Sequence, residues 1–169
     1  VTGKENEITA TPRMMVRNVL VGSIVTADAL LTQTRVTQSI RQAGGDYLLI
    51  VKDNHRDLKD ILAPTFTDPL TKTVVDIFYE MRKDRQVETV VTLTQDLDLA
   101  ALQQDGWCDL AVVGKLERRG KRLSKRTQTI INETIYFISS RAELTPQAAA
   151  TFIRQHWHIE NKLHWQKDV

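Results

Sequence analysis

The run Asp46-Tyr-Leu-Leu-Ile-Val-Lys52 limits what this chain can fold into more than any other stretch. Every position between its two charged ends is apolar or aromatic, so neither face of a strand built from it can meet water. Such strands sit inside sheets covered on both sides, most often parallel ones. The flanking sequence agrees. Upstream, Thr32 to Ala43 carries Val36, Ile40 and Ala43 at helical spacing, and Gly44-Gly45 stops it. Before that, Ser23-Ile-Val-Thr-Ala-Asp28-Ala-Leu30 is a β-rich run with an acid near its end. Downstream, Asn54 is the expected cap of a helix reaching about Leu62, with Leu58, Ile61 and Leu62 facing inward. Strand, helix, strand, helix in that order implies a right-handed crossover and at least two parallel neighbours. The expectation is an α/β fold.

The chain has 169 residues, enough for one domain with a sizeable core. Ile8 to Leu20 reads as a short helix with Thr9 or Thr11 as cap and Pro12 in its first turn. Asp68-Pro69 and the polar residues up to Lys72 form a joint, where the character changes. Gln86 to Leu93 alternates at period two, as a half-exposed strand does. Asp96 to Gln104 reads as a short helix. Asp109–Arg118 and Thr129–Ser139 read as two strands, with Gly120 and basic residues forming a hairpin-like connection between them. Thr145-Pro146 supplies a side-chain oxygen and then a proline, a good helix start, and nothing after it breaks a helix. The single cysteine, Cys108, excludes an internal disulfide and fits a reducing compartment. No apolar run approaches the length of a membrane span. The chain starts at Val1 without Met and stops at Val169 with its last element barely finished, which reads as the two edges of a fragment.

Net charge is only +2, so it says little about partners; its distribution says more. Lys115 to Arg126 holds seven Lys or Arg and one acid, a density suited to phosphate contact as well as to a solvated face. Asp28 lies near a strand end, where ligands of open α/β sheets bind, though an Asp there is also a common cap. On the last helix Ile153, His156, Trp157, Glu160, Leu163, His164 and Lys167 share one face at 100° per residue. Glu160 is therefore central to the inward face, where a carboxylate needs a partner. It pairs with Lys167 or the histidines, or it lines a cation site. Carboxylates from two elements meeting at a strand end are what a pair of Mg²⁺ ions needs. A zinc site from His156, Glu160 and His164 is a weaker reading. The loop Lys52-Asp53-Asn54-His55 opens a helix and could turn backbone N–H groups toward a phosphate.

The run His156-Trp-His-Ile-Glu160-Asn-Lys-Leu-His-Trp165, with Lys167-Asp168-Val169, resembles the catalytic-glutamate helix of bacterial insertion-sequence transposases of the DDE type. Within these it is similar to the group that includes the Rhs-associated H-repeat proteins. Other stretches agree in order and spacing. Ser23 to Ala29 resembles that family's strand with the second catalytic aspartate, and Gly44 to Asn54 its next strand and loop. Tyr136-Phe-Ile-Ser-Ser140 resembles the strand before the last helix, and Asn6 to Thr9 with Pro12 the lead-in to its first helix.

The resemblance implies an incomplete RNase H-like core with a mostly β insertion before the last helix. Residues 1–70 would be the first part of the core, 71–143 the insertion, and 144–169 the core helix with the catalytic glutamate. It implies Mg²⁺, with Mn²⁺ as a substitute, held by Asp28 and Glu160 as catalytic acids during DNA strand cleavage and transfer. DNA, both transposon ends and target, is the implied partner, and the family allows a homodimer. His156 and Lys167, with Arg118, Arg119, Lys121 and Arg122, are the implied DNA contacts. The implied setting is the bacterial cytoplasm, on the nucleoid, with no membrane association. The family also carries a Tyr and an Arg on this helix; here Ile153 and His156 stand in those positions. Its first aspartate lies upstream of anything matched in these residues, so the expectation is a chain inactive by itself. The alternative is a non-catalytic DNA-binding or interaction module left from a truncated transposase.

Overall fold

Six strands and four α-helices make up the described part of the computed structural model, which covers residues 20–124 and 126–167, with residues 158–167 described in backbone only. The strands are β1 (Ile24–Ala27), β2 (Asp46–Val51), β3 (Val74–Arg82), β4 (Arg85–Thr94), β5 (Val112–Leu123) and β6 (Gln128–Ser139). The helices are α1 (Thr34–Gln42), α2 (Arg56–Thr65), α3 (Leu99–Gln104) and α4 (Pro146–Lys167). The strands form one sheet in the order β1-β2-β6-β5-β4-β3. β1 and β2 are parallel, with Ala27 opposite Leu49; every other pairing is antiparallel. No helix among the described residues is long and apolar enough to cross a membrane.

The apolar run from Tyr47 to Val51 lies in β2, and it is covered on both faces as expected. Tyr47, Leu49 and Val51 pack with Val36 and Ile40 of α1, Leu58 and Leu62 of α2, and Leu102 of α3. Leu48 points the other way, into a layer with Val91, Leu116 and Phe137 that Ala149 and Ile153 of α4 close. Each such large side chain contributes about 1.5–3 kcal/mol by leaving water. The helix α4 begins at Pro146 as expected, and the Thr145 hydroxyl accepts from the Ala148 N–H at 3.2 Å.

Several boundaries differ from the sequence reading, each for a visible reason. α1 starts at Thr34 rather than Thr32, because the buried Thr32 hydroxyl donates to the Ile50 carbonyl at 2.6 Å and holds that residue against the sheet. Asn54 does not cap α2; its amide donates to the Ala29 carbonyl at 2.7 Å and the helix starts at Arg56. Ile61, expected inside, is exposed. The expected hairpin connection is mostly strand: β5 runs to Leu123, so Arg118 to Arg122 lie in the ladder with β4 and β6. Gly120, read as a turn residue, instead admits the close approach of the Gln86 carbonyl and Val87 on β4. The expected helix at Ile8 to Leu20 lies almost wholly outside the described residues.

Candidate functional site

Two parallel strands that end side by side place whatever follows them side by side. Asp28 follows β1 directly and Lys52 follows β2 directly. The Lys52 ammonium donates to the Asp28 carboxylate at 3.1 Å. The same carboxylate oxygen accepts from the Ala29 N–H at 2.7 Å and so caps the 3-10 turn Ala29–Leu31. Asp28 thus caps a turn, the plainer of its two readings, and it does so directly after β1. The bonds from Thr32 to Ile50 and from Asn54 to Ala29 tie the loop after β1 to β2 and to the segment after it. That frame fixes Asp28 without burying it; its side chain is 44% exposed.

Partial burial works against the Asp28 charge. The Ala29 N–H, the Lys52 ammonium and the charge of His156 together outweigh it, and the carboxyl is held below its usual range. His156 belongs to α4, and α4 contacts β1. The last helix therefore reaches the end of the sheet where Asp28 stands. Glu160 follows one turn later on the same helix; its side chain and that of Lys167 lie outside the described residues, as does that of His164. Asp28 presents a partly exposed carboxylate, the kind of hard oxygen donor that Mg²⁺ or Mn²⁺ prefers. Among the described residues no group of three or more His, Cys, Asp or Glu could hold a metal ion.

The six expected DNA contacts separate by position. Arg118 and Arg122 share the α4 face of β5 with Leu116, whereas Arg119 and Lys121 lie on the opposite face with Val113. Arg119 and Arg122 are exposed. Arg118 is not: its side chain is 18% exposed, bonded to Glu133 at 3.0 Å, with its guanidinium 4.9 Å from the centre of the Trp157 ring. The loop Lys52–His55 offers little to a phosphate. Lys52 is engaged by Asp28, Asp53 carries a carboxylate paired with Lys59 at 2.6 Å, and the His55 N–H is spent on the Lys52 carbonyl.

Between α4 and the strands β3 to β6 lies a cleft of about 920 Å³. Lys52 lines it, as do Arg118, Glu133, Arg154 and Trp157, so it runs on to the Asp28 end of the sheet. Sequence reasoning missed two elements of this arrangement. Lys52 as the partner of Asp28 was findable, because each directly follows a parallel strand. Glu133 as the partner of Arg118 was not, since it depends on the register of β5 against β6.

All of residues 1–169 match the family described as "Transposase DDE domain". The chain is 32% identical to "Putative protein YbfL" of Escherichia coli strain K12, over 98% of this chain and 44% of that protein. It is 31% identical to "H repeat-associated putative transposase YhhI" of the same strain, with the same coverage of each. It is 30% identical to "Putative transposase YncI" of Escherichia coli O157:H7, over 98% of this chain and 43% of that protein. The chain thus spans less than half the length of these curated relatives. No solved structure matches it.

Proposed function

The chain belongs to the family of transposase DDE domains, and we propose that it forms part of a catalytic domain that cleaves and joins DNA strands during transposition. The observation that carries this reading is the meeting of α4 with the end of β1. His156 acts on the charge of Asp28, and Glu160 follows His156 by one helical turn. We assign Asp28 and Glu160 as the two acids that would hold a divalent cation, Mg²⁺ or Mn²⁺. Bound there, the cation would supply Lewis-acid stabilisation of phosphate oxygens and a more acidic water or hydroxyl. The Ala29 N–H and the Lys52 ammonium favour the ionised form of Asp28, and Lys52 places a positive charge beside it. The frame of Thr32 and Asn54 holds the carboxylate at the sheet end. Arg119, Lys121 and Arg122 give DNA phosphates non-specific contacts, joined by His156 and Lys167 near the acids, with Arg118 held at the cleft wall.

Within this reading residues 1–70 and 144–169 belong to an RNase H-like core and 71–143 to an insertion. The change of pairing supports that division: β1 and β2 are parallel with a helix between them, while β3 to β6 form an antiparallel meander. β6 then joins the two parts by pairing with β2. DNA in the bacterial cytoplasm, on the nucleoid, is the setting this function requires, and two copies acting on two transposon ends make the assembly.

Strand cleavage with Mg²⁺ or Mn²⁺ tests the proposal. The 169 residues alone hold nothing that matches the family's first acid, so they should not nick DNA. The same residues joined in one polypeptide to a segment supplying that acid should, and Asp28→Ala or Glu160→Ala should then cost on the order of 10³-fold in rate. Cleavage by the 169-residue chain that survives Glu160→Gln would mean that the chemistry belongs to other residues.

A further inference from the structure

The guanidinium of Arg118 lies over the ring of Trp157 at 4.9 Å, and Trp157 stands three residues before Glu160 on α4. Residues three apart on a helix are neighbours on one face, so the setting of Trp157 fixes the rotation of the turn that carries Glu160. Arg118 is itself held from behind. It is paired in register with Glu133 on β6, and its guanidinium bonds the Glu133 carboxylate at 3.0 Å. The charge is thus fixed to two strands of the meander, and the helix ring packs against the fixed charge. Below this contact, Ile153 anchors α4 in the core. Beyond it, the helix continues through Glu160 to Lys167.

We propose that Arg118, set by Glu133, is a positioning residue: it clamps Trp157 and so holds the Glu160 turn of α4 in register with Asp28. This rests on the reading of Glu160 as an active-site acid, and it gives one member of the basic run a role other than phosphate contact. A planar guanidinium stacks on an indole in a way an ammonium does not. The clamp therefore needs arginine, whereas DNA affinity alone would accept any cation.

The test uses the 169-residue chain and two readouts. The first is amide hydrogen exchange along residues 157–163, compared with residues 147–153 as an internal control. Arg118→Met should speed exchange about two- to five-fold in the distal stretch and leave the control unchanged, as expected when a partly buried cation–π pair is removed. Arg118→Lys should recover only part of this, and Glu133→Gln, which leaves the core intact, should give a smaller change in the same direction. In Trp157→Leu, Arg118→Met should add nothing further. The second readout is Mn²⁺ affinity, which Arg118→Met should weaken several-fold. Exchange in the distal stretch that ignores both Arg118→Met and Glu133→Gln overturns the clamp, as does full rescue by lysine. Altered exchange in a chain whose Mn²⁺ affinity is indifferent to Asp28→Asn and Glu160→Gln overturns the active-site reading and with it the purpose of the clamp, while the contact itself stands.

Discussion

At the scale of single residues the decisive pair is Asp28 with Lys52. A carboxylate at a strand end is common; one paired with a lysine at the end of the neighbouring parallel strand, and within electrostatic reach of His156 on a third element, is a built arrangement. The partners act on the ionised form, so the Asp28 pKa is lower in the folded chain than in the unfolded one. The resulting stability is present above the unfolded pKa and is lost as pH falls through the folded one. Carboxyl titration by NMR should place the Asp28 midpoint below the usual aspartate value, and Lys52→Met should move it upward. A midpoint indifferent to Lys52 would show that the pair is incidental to the site. The sequence announced Asp28 through its place after a β-rich run, but not its partner. The lysine was visible only as part of a loop whose phosphate-binding reading the contacts do not support.

At the scale of elements, legibility followed the source of each signal. β2 and α4 were read well because burial on both faces and a Thr-Pro helix start are written in local sequence. β3 was not read as a strand. Its apolar row Val75, Ile77, Tyr79 and Met81 is exposed, and Asp76, Glu80 and Arg82 interrupt the run, so hydrophobic pattern and burial disagree there. The length of β5 was hidden for a related reason. Its charged outer half is held by cross-strand pairs such as Arg118 with Glu133, and its Gly120 serves a close approach rather than a turn. Gly114 has a similar duty: a methyl group there would meet the ring of the buried Phe137. Gly114→Ala should cost about 1–3 kcal/mol, as overpacking does, and lower the thermal midpoint by several degrees. An unchanged midpoint would mean that Phe137 has room to move. Because β5 is a strand, its basic residues also split between two faces. Replacing Arg119 and Lys121 with Ala should flatten the salt dependence of DNA binding by about one unit of slope for each phosphate no longer neutralised. The clamped Arg118 should contribute less to that slope; an equal flattening from Arg118→Ala would show that it reaches the phosphates.

At the scale of the whole molecule, one sheet carries two kinds of order. Its parallel half ends at Asp28 and Lys52, its antiparallel half forms the wall of a cleft, and α4 packs across both. That arrangement gives the last helix its importance, since it is the element through which the meander can influence the strand end. We propose that α4 delivers Glu160 to Asp28 so that the two share a cation. The most direct measurement is the anomalous scattering of crystals soaked in Mn²⁺. A single peak is expected at direct coordination distance, about 2 Å, from carboxylate oxygens of both Asp28 and Glu160. A peak held by other residues, or two carboxylates too far apart to share an ion, would contradict it.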